Sequence, residues 1–194
     1  MMVSAQQQKV GQNPQPKRIS WEAFEKKYLT REDKYKYEWL DGIVEKTERV
    51  MNQSQLYIQI NLFNFLQKLK TEGKADGMLT VEPDTFFLKN HRKPDIAHFS
   101  LEQIRRAKEG ENQVPKFIIE VISKTDNVNR INAKVENYFA AGVQVIWHIF
   151  PENQLVHVYE NSKRIMVCRE EDKCSADSVI PGFILSVNDI FKTP

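Results

Sequence analysis

The chain has 194 residues, enough for one domain with a substantial core and marginal for two. Its 41% hydrophobic and 28% charged content exclude a chain disordered throughout, and a formal net charge of +2 is compatible with a nucleic-acid partner without announcing one. No early apolar segment resembles a signal peptide, and no run approaches the roughly 20 apolar residues that span a bilayer, so the expectation is a cytoplasmic protein with no membrane association. Cys168 and Cys174 show neither CxxC spacing nor a Cys/His cluster around them and read as free thiols in a reducing compartment.

Residues 1–17 are rich in Gln, Asn, Pro and Lys with almost no large apolar side chain, the composition of a disordered polar tail ahead of a domain at 18–194. From Ser20, a capping residue, Trp21, Phe24 and Tyr28 recur on one face of a short helix. Asp41-Gly42 between YEWL and Ile43-Val44 predicts a hairpin. Helical spacing of Leu56, Ile60, Phe63, Leu66 and Leu69 predicts a helix over 53–70 with that face in the core, stopped by Gly73. Residues 78–88 read as extended, interrupted at Pro83-Asp84, and 94–99 as a further strand; 101–108 reads as a short helix and 109–113 as polar loop.

Residues 117–122, FIIEVI, form a continuous apolar run broken only by Glu120, as expected of an interior strand covered on both faces. A helix over 129–141 ends at Gly142, a strand follows at 143–150, and 155–159 and 165–169 alternate as an antiparallel pair across Asn161-Ser162. IPGFILSVNDIF supplies a turn and a closing segment. The order predicts a mixed α/β (α+β) domain with one central mixed sheet flanked by helices.

The chemistry concentrates in KPDIAHFS, PKFIIEVISKTD and RINAKVENYFAAGV. Asp95 follows Pro94, which fixes φ where a strand begins, and Glu120 lies in an apolar strand where an unpaired charge costs several kcal/mol. A cation compensates both. Two carboxylates, a main-chain carbonyl such as that of Val121, and waters make a hard oxygen site suited to Mg2+ or Mn2+, an ion that can activate water and neutralise a scissile phosphate. Lys134 on the following helix, or Lys124 on the same strand face as Glu120, supplies a cation for the attack.

In this order the residues resemble the PD-(D/E)XK nuclease superfamily, and more closely a bacterial group of restriction-endonuclease-like proteins of unassigned biology, the Uma-two family. YEWLDG is similar to that group's Tyr-Glu-Leu-Ile-Asp-Gly opening, PDIAHFS to its Pro-Asp strand, and FIIEVIS to its Glu-Val-Leu-Ser strand. KVENYFAAGVQVIWHIFPE is similar to its Lys-x3-Tyr-x2-Ala-Gly-Val and Trp-containing strand, and VIPGFILSVNDIF to its C-terminal closure. The resemblance implies a restriction-endonuclease-like fold acting on DNA, with Asp95 and Glu120 as metal ligands, Lys134 as a lysine moved from strand to helix, Glu38 as an additional acidic residue, and a homodimer suited to cutting both strands. Two departures stand out: Ile122 holds the place of the usual strand lysine, and Asn52-Gln53-Ser54-Gln55 stands where the group commonly has a histidine.

Each site residue also has a structural reading. Asp95 can turn the chain after proline, Glu120 can form a buried salt bridge with Lys134 or Arg130, Lys134 can be a solvated helix position, and Glu38 an exposed hairpin residue. The four histidines show no ligand spacing, and His148, Tyr138 and Trp147 read as core. Lys89, His91, Arg92 and Lys93, with Arg105, Arg106 and Lys108, can form a phosphate-facing rim. No glycine-rich phosphate loop, GxSxG elbow or HExxH helix is present. The expectation is a magnesium-dependent endonuclease; the alternative is an inactive nuclease-fold module that binds nucleic acid or a protein partner.

Overall fold

The computed structural model describes residues 17–48, 55–124 and 126–193. Most of the segment expected to be a tail, and residues 49–54 with most of the stretch standing in place of the histidine, lie outside the described residues. The elements in chain order are α1 (Trp21–Phe24), continuing as a π-helical turn (Glu25–Leu29), β1 (Tyr35–Leu40), β2 (Ile43–Glu48), α2 (Leu56–Thr71), β3 (Met78–Val81), β4 (Thr85–Phe87) and β5 (Asn90–Arg92). They continue with β6 (Ile96–Phe99), α3 (Leu101–Lys108), β7 (Phe117–Val121), α4 (Val128–Ala140), β8 (Val145–Phe150), β9 (Leu155–Asn161), β10 (Arg164–Arg169), β11 (Lys173–Ser175), β12 (Ile184–Ser186) and α5 (Val187–Phe191).

The central sheet has six strands in the order β10-β9-β8-β7-β6-β3. It is mixed because β7 pairs antiparallel with β6 and parallel with β8, the connection between the parallel strands running through α4. Strand alternation divides the apolar side chains between two layers. Phe117 and Ile119 of β7 join Ile58, Leu62, Leu66 and Leu69 of α2, Trp147 of β8 and the α5 side chains Ile190 and Phe191 in one cluster. Ile118, on the opposite face of β7, packs with Ile146 and with Val135 and Tyr138 of α4 in the other. Glu120 shares the face of Ile118 and is therefore turned toward α4.

A second sheet, β2-β1-β5-β4, is not expected from the sequence and builds one wall of the site. Its hairpin forms at Asp41-Gly42, both with positive φ (45° and 92°), as a two-residue turn matching strand twist requires. Ser20 caps α1 through the Ala23 amide. The helix delivers Trp21 and Phe24 into an aromatic group with Phe86 and His91. The short strand β5 falls in the charged segment read as a surface rim. His91, Arg92 and Lys93 are buried, so that reading is corrected for these three residues, whereas Arg105, Arg106 and Lys108 of α3 are exposed. A charged stretch hides a strand when each charge has a buried partner, a fact local sequence does not carry.

The face assigned to α2 is also corrected. Leu66 and Leu69 are buried with Ile58 and Leu62, but Leu56, Ile60 and Phe63 are 48%, 46% and 36% exposed. Both stripes are apolar, and spacing alone does not say which one meets the sheet. Among the described residues, no helix is long and apolar enough to cross a membrane.

Candidate functional site

The site lies where the chain passes from the second sheet to the central one. β5 ends at Arg92, Lys93 and Pro94 follow, and Asp95 stands just before β6. Because β6 pairs antiparallel with β7 with Ile96 opposite Ile119, one further step of that register sets Asp95 beside Glu120. Across the next pair Glu120 faces His148, which in turn faces His157 on β9. A lateral row of ionisable groups therefore runs over one face of the sheet. Strand β1 presents Lys36 and Glu38, two positions apart, toward the same place, and α4 brings Lys134 and Tyr138 over the end of β7.

Asp95 accepts hydrogen bonds from the Lys36 ammonium at Oδ1 (2.7 Å) and from the Val121 amide at Oδ2 (2.8 Å). Glu120, 3% exposed, accepts from Lys134 Nζ at both oxygens (3.2 and 3.1 Å) and from the Tyr138 hydroxyl at Oε1 (2.6 Å). Glu38, 2% exposed, accepts from the Lys93 amide (2.9 Å) and from Arg92 (3.2 Å), and Lys134 Nζ stands 3.9 Å from it. Lys36 also donates to the Lys93 carbonyl (3.0 Å), and Arg92 to Asn137 Oδ1 (3.0 Å). The site opens at Asp95 and Lys134, whose side chains keep 28% and 19% of their surface. The structure thus brings Glu38, Asp95, Glu120 and Lys134 together. At Val121 it engages the amide N–H with Asp95.

Lys124, the alternative lysine, is well exposed and pairs with Glu152 at 2.8 Å, because β7 ends at Val121. Arg130, the alternative partner of Glu120, pairs with Glu45 instead. Lys36 and Tyr138 were missed by the sequence reading as site residues. The signal for Lys36 was its place two residues before Glu38 on a strand, and for Tyr138 its place one helical turn after Lys134.

The shared surroundings drive the carboxylates apart. Burial raises the Glu120 pKa; Lys134 and Lys36 pull it down, while the neighbouring Asp95 and Glu38 charges push it up, and the net is upward. Burial acts in the same direction on Asp95, but Lys36 and Lys134, with the Lys36 and Val121 hydrogen bonds, outweigh it and hold Asp95 below the ordinary range. Glu38 is likewise lowered, against burial, by Lys134, Lys36, Arg92 and the Lys93 amide. Burial also lowers His148 to about 3, with His157 and Lys134 adding to it, so its imidazole is neutral near pH 7. Among the described residues, none is a hydrogen-bond partner of its Nδ1.

Among the described residues, no three His, Cys, Asp or Glu side chains converge on a single metal position. A magnesium ion does not require three: one or two carboxylates, with waters and substrate phosphate oxygens, suffice. Asp95 and Glu120, adjacent and both holding ammonium groups, fit such an ion by the chemistry of their donors.

The fold, a mixed sheet with helices on its faces, is of the restriction-endonuclease-like class. A crystal structure from Anabaena variabilis, described as "a putative nuclease belonging to DUF820", superposes with a TM-score of 0.68 at 22% identity, covering 83% of this chain and 92% of that one. Residues 21–188 match the family model Uma2, described as "Putative restriction endonuclease", and the chain belongs to that family. No match was found among curated proteins.

Proposed function

We propose that the protein is a divalent-metal-dependent endonuclease of PD-(D/E)XK type that hydrolyses DNA phosphodiester bonds, with Mg2+ as its ion and Mn2+ as a substitute. The observation that carries this reading is the lateral pair Asp95 and Glu120 with the Lys134 ammonium on both Glu120 oxygens. Asp95 and Glu120, with the Val121 carbonyl, are the residues to hold the ion. When bound, it supplies charge neutralisation at the scissile phosphate and lowers the pKa of water. Lys134, anchored between Glu120 and Glu38, is oriented to steady the attacking water or the negative charge that builds on phosphorus. Against the effect of burial, Glu120 and then Glu38 keep that ammonium charged, and Tyr138 fixes the Glu120 carboxylate. Arg105, Arg106 and Lys108 on α3 are exposed, and although Arg105 and Arg106 pair with Glu102 and Glu111, these surface cations are the ones to meet a DNA backbone. A homodimer would set two such sites on opposite strands, and the free Cys168 and Cys174 suit a cytoplasmic location.

The test is cleavage of supercoiled plasmid and of single-stranded DNA with Mg2+, Mn2+ or chelator, beside Asp95→Ala and Glu120→Ala. Metal-dependent cutting lost in both folded variants is the expected result; cutting retained in both refutes the site. A second reading, a nuclease-fold module that binds nucleic acid or a protein without cutting, is favoured by one observation: each carboxylate already has a cation from the chain itself, Lys36, Lys134 or Arg92. It expects no dependence on metal.

A further inference from the structure

Lys36 has no part in the reaction as described, yet it is firmly held. Its side chain is 10% exposed, and its ammonium donates to Asp95 Oδ1 at 2.7 Å and to the Lys93 carbonyl at 3.0 Å. Asp95 Oδ2 accepts from the main-chain amide of Val121, whereas Oδ1 accepts from the Lys36 side chain, so Oδ1 is the oxygen that an incoming ion reaches by displacing a side chain rather than main chain. A carboxylate oxygen and a main-chain carbonyl beside a second carboxylate form the hard-oxygen surroundings a divalent cation uses, and an ammonium is a compact point charge that satisfies them equally.

The charges favour exchange over addition. Three acidic groups (Glu38, Asp95, Glu120) face three basic ones (Lys36, Arg92, Lys134), which balance when all are ionised. A divalent ion added to that cluster would leave an excess of two positive charges in a largely buried place. Withdrawing one ammonium reduces the excess to one, and one phosphodiester charge cancels it. Lys134 engages two carboxylates, holding both Glu120 oxygens (3.2 and 3.1 Å) and facing Glu38, whereas Lys36 holds one oxygen of one carboxylate and the neutral Lys93 carbonyl, so withdrawing Lys36 uncovers less negative charge.

We propose that Lys36 is a resident cation occupying the metal position at Asp95, that a divalent ion must displace it, and that the released ammonium then pairs with an oxygen of a second, neighbouring phosphate of the substrate backbone. This rests on the metal-dependent reading above. It makes Lys36 a competitor of the metal in the free protein, and it couples metal binding to DNA binding, because the phosphate gives the displaced charge a partner.

The test is calorimetric titration of the full chain with Mn2+, without DNA, comparing wild type with Lys36→Met. The expected result is Mn2+ binding at least tenfold tighter in the variant, with a larger rise of its unfolding temperature on adding Mn2+. Equal or weaker binding by folded Lys36→Met, where wild type binds, overturns the proposal and leaves the metal-dependent reading standing. No binding by either protein overturns both. Should Lys36→Met fail to fold without metal, Lys36→Arg keeps the charge and adds a fork that grips Asp95 with two donors. That variant is expected to bind Mn2+ at least threefold more weakly than wild type, and equal or tighter binding overturns the proposal.

Discussion

Replacing Tyr138 by Phe isolates one interaction of the site. Tyr138 is fully buried, its ring packs 4.7 Å from that of Phe87, and its hydroxyl donates a 2.6 Å bond to Glu120 Oε1. The Phe variant keeps the ring and removes the donor. A hydrogen bond to a charged group contributes about 1.5–3 kcal/mol, and Lys134 still reaches the same oxygen at 3.2 Å, so a loss near the middle, about 2 kcal/mol, is expected. For a chain of this size that is a fall in unfolding temperature of roughly 4–8 °C. The loss also acts on Glu120 itself: its carboxylate form loses a donor, and its already raised pKa moves further up. Urea unfolding at pH 7 measures the cost, and repeating it in a Glu120→Gln background measures the coupling. Without a charged acceptor, the cost of removing the hydroxyl should fall to about 1 kcal/mol or less. A loss under about 0.5 kcal/mol in the wild-type background, or the same loss in both, would refute the assignment of Tyr138 as the residue that fixes Glu120.

Glu38→Ala leaves Arg92 and Lys134 with one fewer carboxylate in a buried setting and is expected to cost about 3–5 kcal/mol, read by urea unfolding; a loss below about 1 kcal/mol would show that water replaces Glu38 there. Asp95 and Glu38 have folded pKa values below their unfolded ones, so the stability they contribute is full above the unfolded values of about 3.9 and 4.3 and is lost as pH falls through the folded values. Glu120, shifted upward, has the opposite sign and offsets part of that loss when it takes up its proton. The urea midpoint should therefore fall steeply below about pH 4, and a midpoint unchanged to pH 2.5 would contradict the pairing. Gly77 has φ 75°, and a Cβ there would run into the Phe99 carbonyl oxygen, so Gly77→Ala should cost about 3 kcal/mol or more from left-handed strain and displaced backbone. Thermal unfolding at or near the wild-type temperature would show that the β3–β6 edge yields freely.

What the sequence by itself determined is what local periodicity and turn chemistry can fix. The Asp41-Gly42 hairpin, the strand at β7, the α3 helix over 101–108, and the β9–β10 pair all follow from residues within a few positions of one another. That Glu120 would have partners was legible because a charge in an apolar strand demands one. The tertiary structure decided which partners arrive. That Lys36 reaches Asp95 and Tyr138 reaches Glu120 depends on β1 and α4 converging near the end of β7, across separations of 59 and 18 residues. It also decided that the charged run His91, Arg92, Lys93 is buried strand and linker rather than surface rim, and that α2 turns Ile58 and Leu62 inward and Ile60 and Phe63 outward. The physical reason is the same in each case. A side chain's spacing sets the face on which it lies, but burial and charge pairing depend on what stands opposite that face, and only packing brings the opposite element there.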